Sequence, residues 1–282
     1  MLRSIPLLLV ALLLAGCGAA VPAGSPRPVE TFPPTEQVKA LHLPLDAYSF
    51  SDAELYTISN AEDVLIAECL RGKGYTWPVI NRPTDAPDLR NRRRYGVIEM
   101  RIAQFGYHVP AGLLTPISLE QAYDKRDRTL GEGAKEAAFG KDGCGRKAAD
   151  RLQAGDDSNQ ALLVRSSHDS LYDSLSDPAV ARALNSWRDC MRQATLTYPD
   201  PLAAMSDQKW WADQAAGPSK QEILVASTDV TCKNRTNLVE VWYTAETRFQ
   251  NKVLNQHPGY FKDRRAAMKK ELDAAQAVLT RS

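Results

Sequence analysis

Asp189-Cys190-Met191-Arg192 repeats the pattern of Glu68-Cys69-Leu70-Arg71, and the reading of this repeat decides the fold. In both copies an acid precedes the cysteine, and an apolar residue and an arginine follow it. Each copy leads to an aromatic–proline pair, Trp77-Pro78 and Tyr198-Pro199, with the proline nine positions beyond the cysteine. One further cysteine follows each copy, Cys144 and Cys232. The pattern predicts two degenerate helical units, at about 44–155 and 156–282, each closed by its own disulfide. The four cysteines concerned permit three pairings, and the repeat favours Cys69–Cys144 with Cys190–Cys232. Loop-closure entropy puts each bridge at about 4 kcal/mol as an upper value. No C-x-x-C spacing and no nearby histidine pair argues for a metal in their place.

The fifth cysteine, Cys17, ends the N-terminal segment. Arg3 supplies a positive charge, Ile5 to Leu14 is an apolar run, and Leu14-Ala15-Gly16-Cys17 follows. The run is too short to span a bilayer and has signal-peptide length. Small residues before a cysteine suit a peptidase that needs a narrow side chain at the cut. The thiol of Cys17 is then the acyl acceptor. This predicts a signal peptide over 1–16 and a lipidated Cys17 on the extracytoplasmic face of the cell membrane, where each buried methylene contributes about 0.8 kcal/mol. Residues 17–43 are rich in Ala, Gly and Pro and read as a flexible, disordered tether. Without Arg3, 34 basic residues face 34 acidic ones, which argues against nucleic acid as a partner.

About 240 residues remain after the tether, enough for one large domain or two small ones. Ser51-Asp52 with Glu54 marks a helix start, and Leu55, Ile58, Leu65, Ile66 and Cys69 follow at helical spacing up to Gly72 or Gly74. Tyr75 to Leu89, with three prolines, reads as loop. Gly131 to Asp142 reads as a loop or frayed helix, and Cys144 opens a helix that Gly155 stops. Asp156-Asp157-Ser158 caps the next helix, and Ser176-Asp177-Pro178 starts another that carries Trp187 and Cys190. From Ser219 to about Gln256 there is neither proline nor glycine, and two apolar stripes predict one central helix. A last helix, from about Tyr260 to Thr280, runs back antiparallel, with its lysines and arginines on a solvated face. Alternating strand patterns are nearly absent. The fold class is all-α, a disulfide-braced helical bundle with long C-terminal antiparallel helices.

Chemistry is thinly marked. His42, His108, His168 and His257 form no H-E-x-x-H, and neither G-x-S-x-G nor a phosphate-cradling glycine loop occurs. No cofactor is called for. The region Arg92-Arg93-Arg94-Tyr95-Gly96 through Gly106-Tyr107-His108 reads first as packing, and second as an aromatic and arginine ligand surface. The candidate surface comprises Arg94, Tyr95, Tyr107, His108 and the pair Trp210-Trp211. In Trp210-Trp211 the expected division is one ring in the core and the other over a helix end. The arginine triplet is expected to be a solvated charge run.

The chain resembles secreted lipoproteins of actinobacteria. The matching residues are Leu14 to Cys17, Glu68-Cys69-Leu70-Arg71 to Gly74-Tyr75, Arg93 to Gly96, Gly106-Tyr107-His108 and Gly143-Cys144. In the second half they are Trp187-Arg188-Asp189-Cys190-Met191, Asp229-Val230-Thr231-Cys232-Lys233, Asn237-Leu238-Val239 and Trp242. A departure is Gln193-Ala194-Thr195, where the pattern carries a glycine at the helix end. These motifs imply membership and no activity. The expected function is a lipid-anchored, non-catalytic binding module for cell-wall glycan or another envelope protein. The alternatives are a cell-wall enzyme with a cleft near Tyr95–His108, and a structural spacer.

Overall fold

The computed structural model describes residues 32–153, 160–212 and 217–281. The expected signal peptide, the expected lipidation site Cys17, the part of the expected tether before residue 32 and the expected cap at Asp156-Asp157-Ser158 lie outside the described residues. Among the described residues there is no strand, and no helix is long and apolar enough to cross a membrane.

A short helix α1 (Glu36–Lys39) precedes α2 (Asp52–Arg71), α3 (Met100–Ala103), α4 (Ile117–Thr129), α5 (Glu132–Phe139) and α6 (Cys144–Gln153). The second half holds α7 (Ala161–Asp173), α8 (Pro178–Gln193), α9 (Pro201–Met205), α10 (Lys220–Arg235), α11 (Leu238–Gln256) and α12 (Pro258–Leu279). Residues 32–43, expected to be tether, are packed instead: Phe32, Val38, Leu41 and Leu43 are buried. These four side chains, six, three and two positions apart among prolines and polar residues, anchor a segment that composition alone assigns to solvent.

Local chemistry sets the helix ends. At α2 a full capping box forms: Ser51 Oγ accepts from the Glu54 N–H, and the Glu54 carboxylate accepts from the Ser51 N–H at 2.8 Å. Asp177 caps α8 through the Ala179 N–H at 2.8 Å, with Pro178 at the first helical position. Thr195 takes the left-handed conformation (φ 61°) that ends α8, so the helix stops there without a glycine.

The uninterrupted helix expected from Ser219 to Gln256 is two helices. Asn237 adopts φ 51°, breaking the run between α10 and α11. Asparagine enters the left-handed region at less cost than other side chains, because its short amide bonds locally. The break turns the two apolar stripes, read as faces of one helix, into faces of two helices.

Both disulfides form as the repeat predicts, Cys69–Cys144 and Cys190–Cys232, with Cα atoms 5.8 and 5.7 Å apart. Each bridge closes within its own half of the chain, yet the packing crosses the halves. The largest core joins Tyr95, Ile102, Tyr107 and Leu113 to Trp187, Met191, Val230 and Trp242 of α8, α10 and α11. A second core joins α2, α5 and α6 through Leu65, Leu70, Ala138 and Leu152, and Ala275 and Val278 of α12 complete it. Thus the first half lends its 95–113 segment to the second, and the second lends its last helix to the first. Each fully buried large side chain contributes about 1.5–3 kcal/mol, so neither core is complete without the exchanged piece.

Candidate functional site

The segment from Asn91 to His108 is where most sequence candidates fall. It does not form a solvated charge run. Arg92 is buried, its Nε donating to Glu99 Oε2 at 2.7 Å and its Nη1 to the carbonyls of Phe32 and Leu113. Arg94 donates from Nε to Glu246 Oε1 at 3.0 Å and also reaches Ser167. Two of the three arginines therefore serve as internal counter-charges, the most economical use of a buried guanidinium.

Tyr95 and Tyr107 are core residues and do not face a ligand. Tyr95 Oη donates to Glu246 Oε2 at 2.8 Å, and its ring lies 5.2 Å from that of Trp242. Ser170 and Gln250 also donate to Glu246, which fills the acceptor capacity of that buried carboxylate. Tyr107 Oη points to Asp229 Oδ2 at 3.3 Å in a separate network. There Lys233 Nζ donates to Asp229 and to the Val97 carbonyl, and Trp187 Nε1 donates to Asp229 Oδ1 at 3.0 Å. Burial, then the adjacent carboxylate, pushes both tyrosine hydroxyls far above their ordinary range. Burial raises the Asp229 carboxyl and lowers the Lys233 ammonium, each opposed by the other's charge. Trp210 is likewise internal, donating from Nε1 to the Ala204 carbonyl at 2.8 Å. Arg94, Tyr95, Tyr107 and Trp210 are accordingly removed from the candidate surface. Their polar tips satisfy buried partners and their rings fill the core.

His108 and Trp211 are what remain at the surface, and they meet there. Their rings lie 4.8 Å apart at 35°, and Trp211 is 37% exposed. His108 Nδ1 is 2.8 Å from Glu222 Oε1, the same oxygen that accepts the Tyr107 N–H at 2.7 Å. Glu222 is buried at the first turn of α10, after the cap Ser219. Ser219-x-x-Glu222 has the spacing of a capping box, and Ser219 Oγ does accept from the Glu222 N–H. The Glu222 carboxylate, however, is turned to the Tyr107–His108 backbone and ring. Gly106 (φ 61°) makes this possible, since a Cβ there would collide with the carboxylate.

A carboxylate accepts only, so Nδ1 carries a proton and Nε2 is directed elsewhere. His108 Nε2 is buried and has no hydrogen-bond partner among the described residues. The same holds for Arg93 Nη1. Arg93 joins this cluster through Nη2, which donates to the Tyr107 carbonyl at 2.7 Å and lies 3.7 Å from Met205 Sδ. Trp211 Nε1 closes the ring of contacts by donating to the Met205 carbonyl at 3.2 Å. Unlike Arg92 and Arg94, Arg93 has no carboxylate beside it among the described residues, and burial, then Arg92, lowers its guanidinium below the ordinary value. The cluster thus holds an unmatched guanidinium nitrogen and an unmatched imidazole nitrogen, both buried.

Glu222 is not singled out by the sequence, and Arg93 is read there only as part of a solvated arginine triplet. The S-x-x-E spacing was a usable signal for Glu222, though it points to a helix start and gives no hint that the carboxylate turns away. His168 is exposed, with Nδ1 3.2 Å from Asp169 Oδ1. Among the described residues, no group of three or more His, Cys, Asp or Glu side chains is placed to hold a metal ion. Comparison with protein-family models, curated proteins and solved structures gives no match.

Proposed function

We propose that this chain is a lipid-anchored extracytoplasmic envelope protein whose helical domain is a binding module, with His108, Trp211 and Arg93 as its ligand contacts. Two disulfides favour an oxidising compartment, in keeping with the lipobox at Leu14 to Cys17. The observation that carries the binding reading is the exposed Trp211 indole stacked against the His108 ring. Arg93 Nη1 and His108 Nε2 are buried without a partner among the described residues, each at about 1–3 kcal/mol, and a ligand that uncovers them and offers one acceptor and one donor repays both. Vicinal hydroxyls or a carboxamide of wall glycan meet that demand, and the Trp211 face suits a sugar ring.

The test is sedimentation of the full chain with purified peptidoglycan. Retention that falls about tenfold in Trp211→Ala and in His108→Ala, with helicity unchanged, is the expected result. Retention equal in wild type and both variants, or none in any, overturns the assignment. A second reading is favoured by the Glu222–His108 pair, since a carboxylate-oriented imidazole whose Nε2 is unpaired can act as a general base once that nitrogen is uncovered. Release of soluble wall fragments by wild type, lost in His108→Ala, would replace the binding reading with that one.

A further inference from the structure

Away from this cluster, a groove of about 630 Å³ runs along the corner where α11 meets α12. Its size falls within the roughly 300–1,000 Å³ of small-molecule sites. Phe261 and Tyr48 form its base, their rings 4.7 Å apart. Asn251 and Asn255, one turn apart on α11, present carboxamides on one side. On the other side α12 presents Lys262, Arg265 and Lys269 from successive turns of a single stripe. These cations are solvent-exposed, as the sequence reading expects, and they line one open groove; Arg264, expected beside them, is buried instead.

The charge is one-sided. Among the described residues no carboxylate lines the groove. Lys269 is held by Asp273 one turn further along α12, whereas neither Lys262 nor Arg265 forms an ion pair among the described residues. The Arg265 guanidinium lies 4.8 Å from the centroid of the Tyr48 ring, so an aromatic shelf holds its planar fork in place. Between the cations and the carboxamides the wall is apolar, made by Leu254, Pro258 and Ala266.

We infer that this groove binds an acidic saccharide. The carboxylate of such a ligand pairs with Arg265 and Lys262. Its hydroxyl or acetamido groups bond to Asn251 and Asn255, which both donate and accept. The apolar C–H face of the ring covers the Leu254–Pro258 wall. A neutral sugar leaves the cations unmatched, and a bare anion leaves the carboxamides and the apolar wall unused.

The experiment is calorimetric titration of the full chain in detergent with two disaccharides. N-acetylglucosaminyl-N-acetylmuramic acid carries a lactyl carboxylate, and N,N′-diacetylchitobiose has the same ring scaffold without charge. The acidic disaccharide is expected to bind about tenfold or more tightly than the neutral one. Arg265→Gln and Lys262→Gln, both at exposed positions, each weaken that binding about tenfold and leave the circular dichroism unchanged. Trp211→Ala leaves it intact, which separates this site from the His108 cluster. Equal affinity for the two disaccharides, or variants identical to wild type, overturns the inference. Tight binding of inorganic phosphate or of phosphatidylglycerol vesicles without preference for the acidic disaccharide also overturns it, assigning the cations to phosphate.

Discussion

Lys233 and Asp229 are both fully buried one turn apart on α10, where they flank Cys232 and pair with each other. The pair knits Trp187, Tyr107 and the Val97 carbonyl to the helix that carries the bridge. Removing one charge strands the other in a medium that cannot solvate it. Lys233→Met is expected to cost about 3–5 kcal/mol in urea unfolding, and Asp229→Asn with Lys233→Met to recover a large part of that. Equal losses in the single and double variants would show that the ammonium acts through packing alone. The partners of these charges were not legible beforehand. Glu246 lies 152 positions from Arg94, and Glu222 lies 115 from Tyr107. No local spacing connects such residues. Charged side chains read singly are assigned to solvent, which is how Arg92 and Arg94 came to be expected there.

Helix boundaries behaved differently, because their chemistry is local. Ser51 with Glu54, and Asp177 with Pro178, act over at most one turn and are visible in the sequence. Asp177 also supplies a pH test. The Ala179 N–H, and then Arg248, hold its carboxyl below its ordinary value. Its contribution is therefore complete above the unfolded pKa near 4 and is lost as pH falls through the lower folded value. Asp177→Ala is expected to destabilise by about 1 kcal/mol at pH 7, a deficit that closes in acid as the wild-type carboxylate protonates. A deficit constant from pH 7 to pH 2 would exclude the carboxylate as its source. The break at Asn237 was hidden because neither glycine nor proline marks it. Asn237→Gly is expected to be neutral within a few tenths of a kcal/mol, while Asn237→Val loses about 1–2 kcal/mol in thermal melts, as a branched side chain resists the left-handed conformation. A valine variant as stable as wild type would mean that the corner between α10 and α11 is set by packing alone.

The two bridges were legible across the whole chain because the repeat made each half look self-contained. Loss of either, as Cys69→Ser with Cys144→Ser or Cys190→Ser with Cys232→Ser, is expected to cost about 2–5 kcal/mol in chemical denaturation. Two transitions after breaking one bridge, with the other half unaffected, would contradict the shared cores. The sharing itself was not legible, since an apolar stripe shows that a helix is covered and never by which partner. That limit also hid the groove at the α11–α12 corner: Lys262, Arg265 and Lys269 read alike whether they face bulk water or a cleft.

The seat of α12 against α2 and α6 carries one more consequence. A polypeptide made in order, amino end first, holds α2 and α6 long before the residues that seal them. Their apolar stripe stays uncovered until the final segment has been synthesised. The closing step is reserved for a finished chain. A protein cut short after His257 would carry both partners of its first bridge with that stripe still open, marked for degradation by the absence of its last turns.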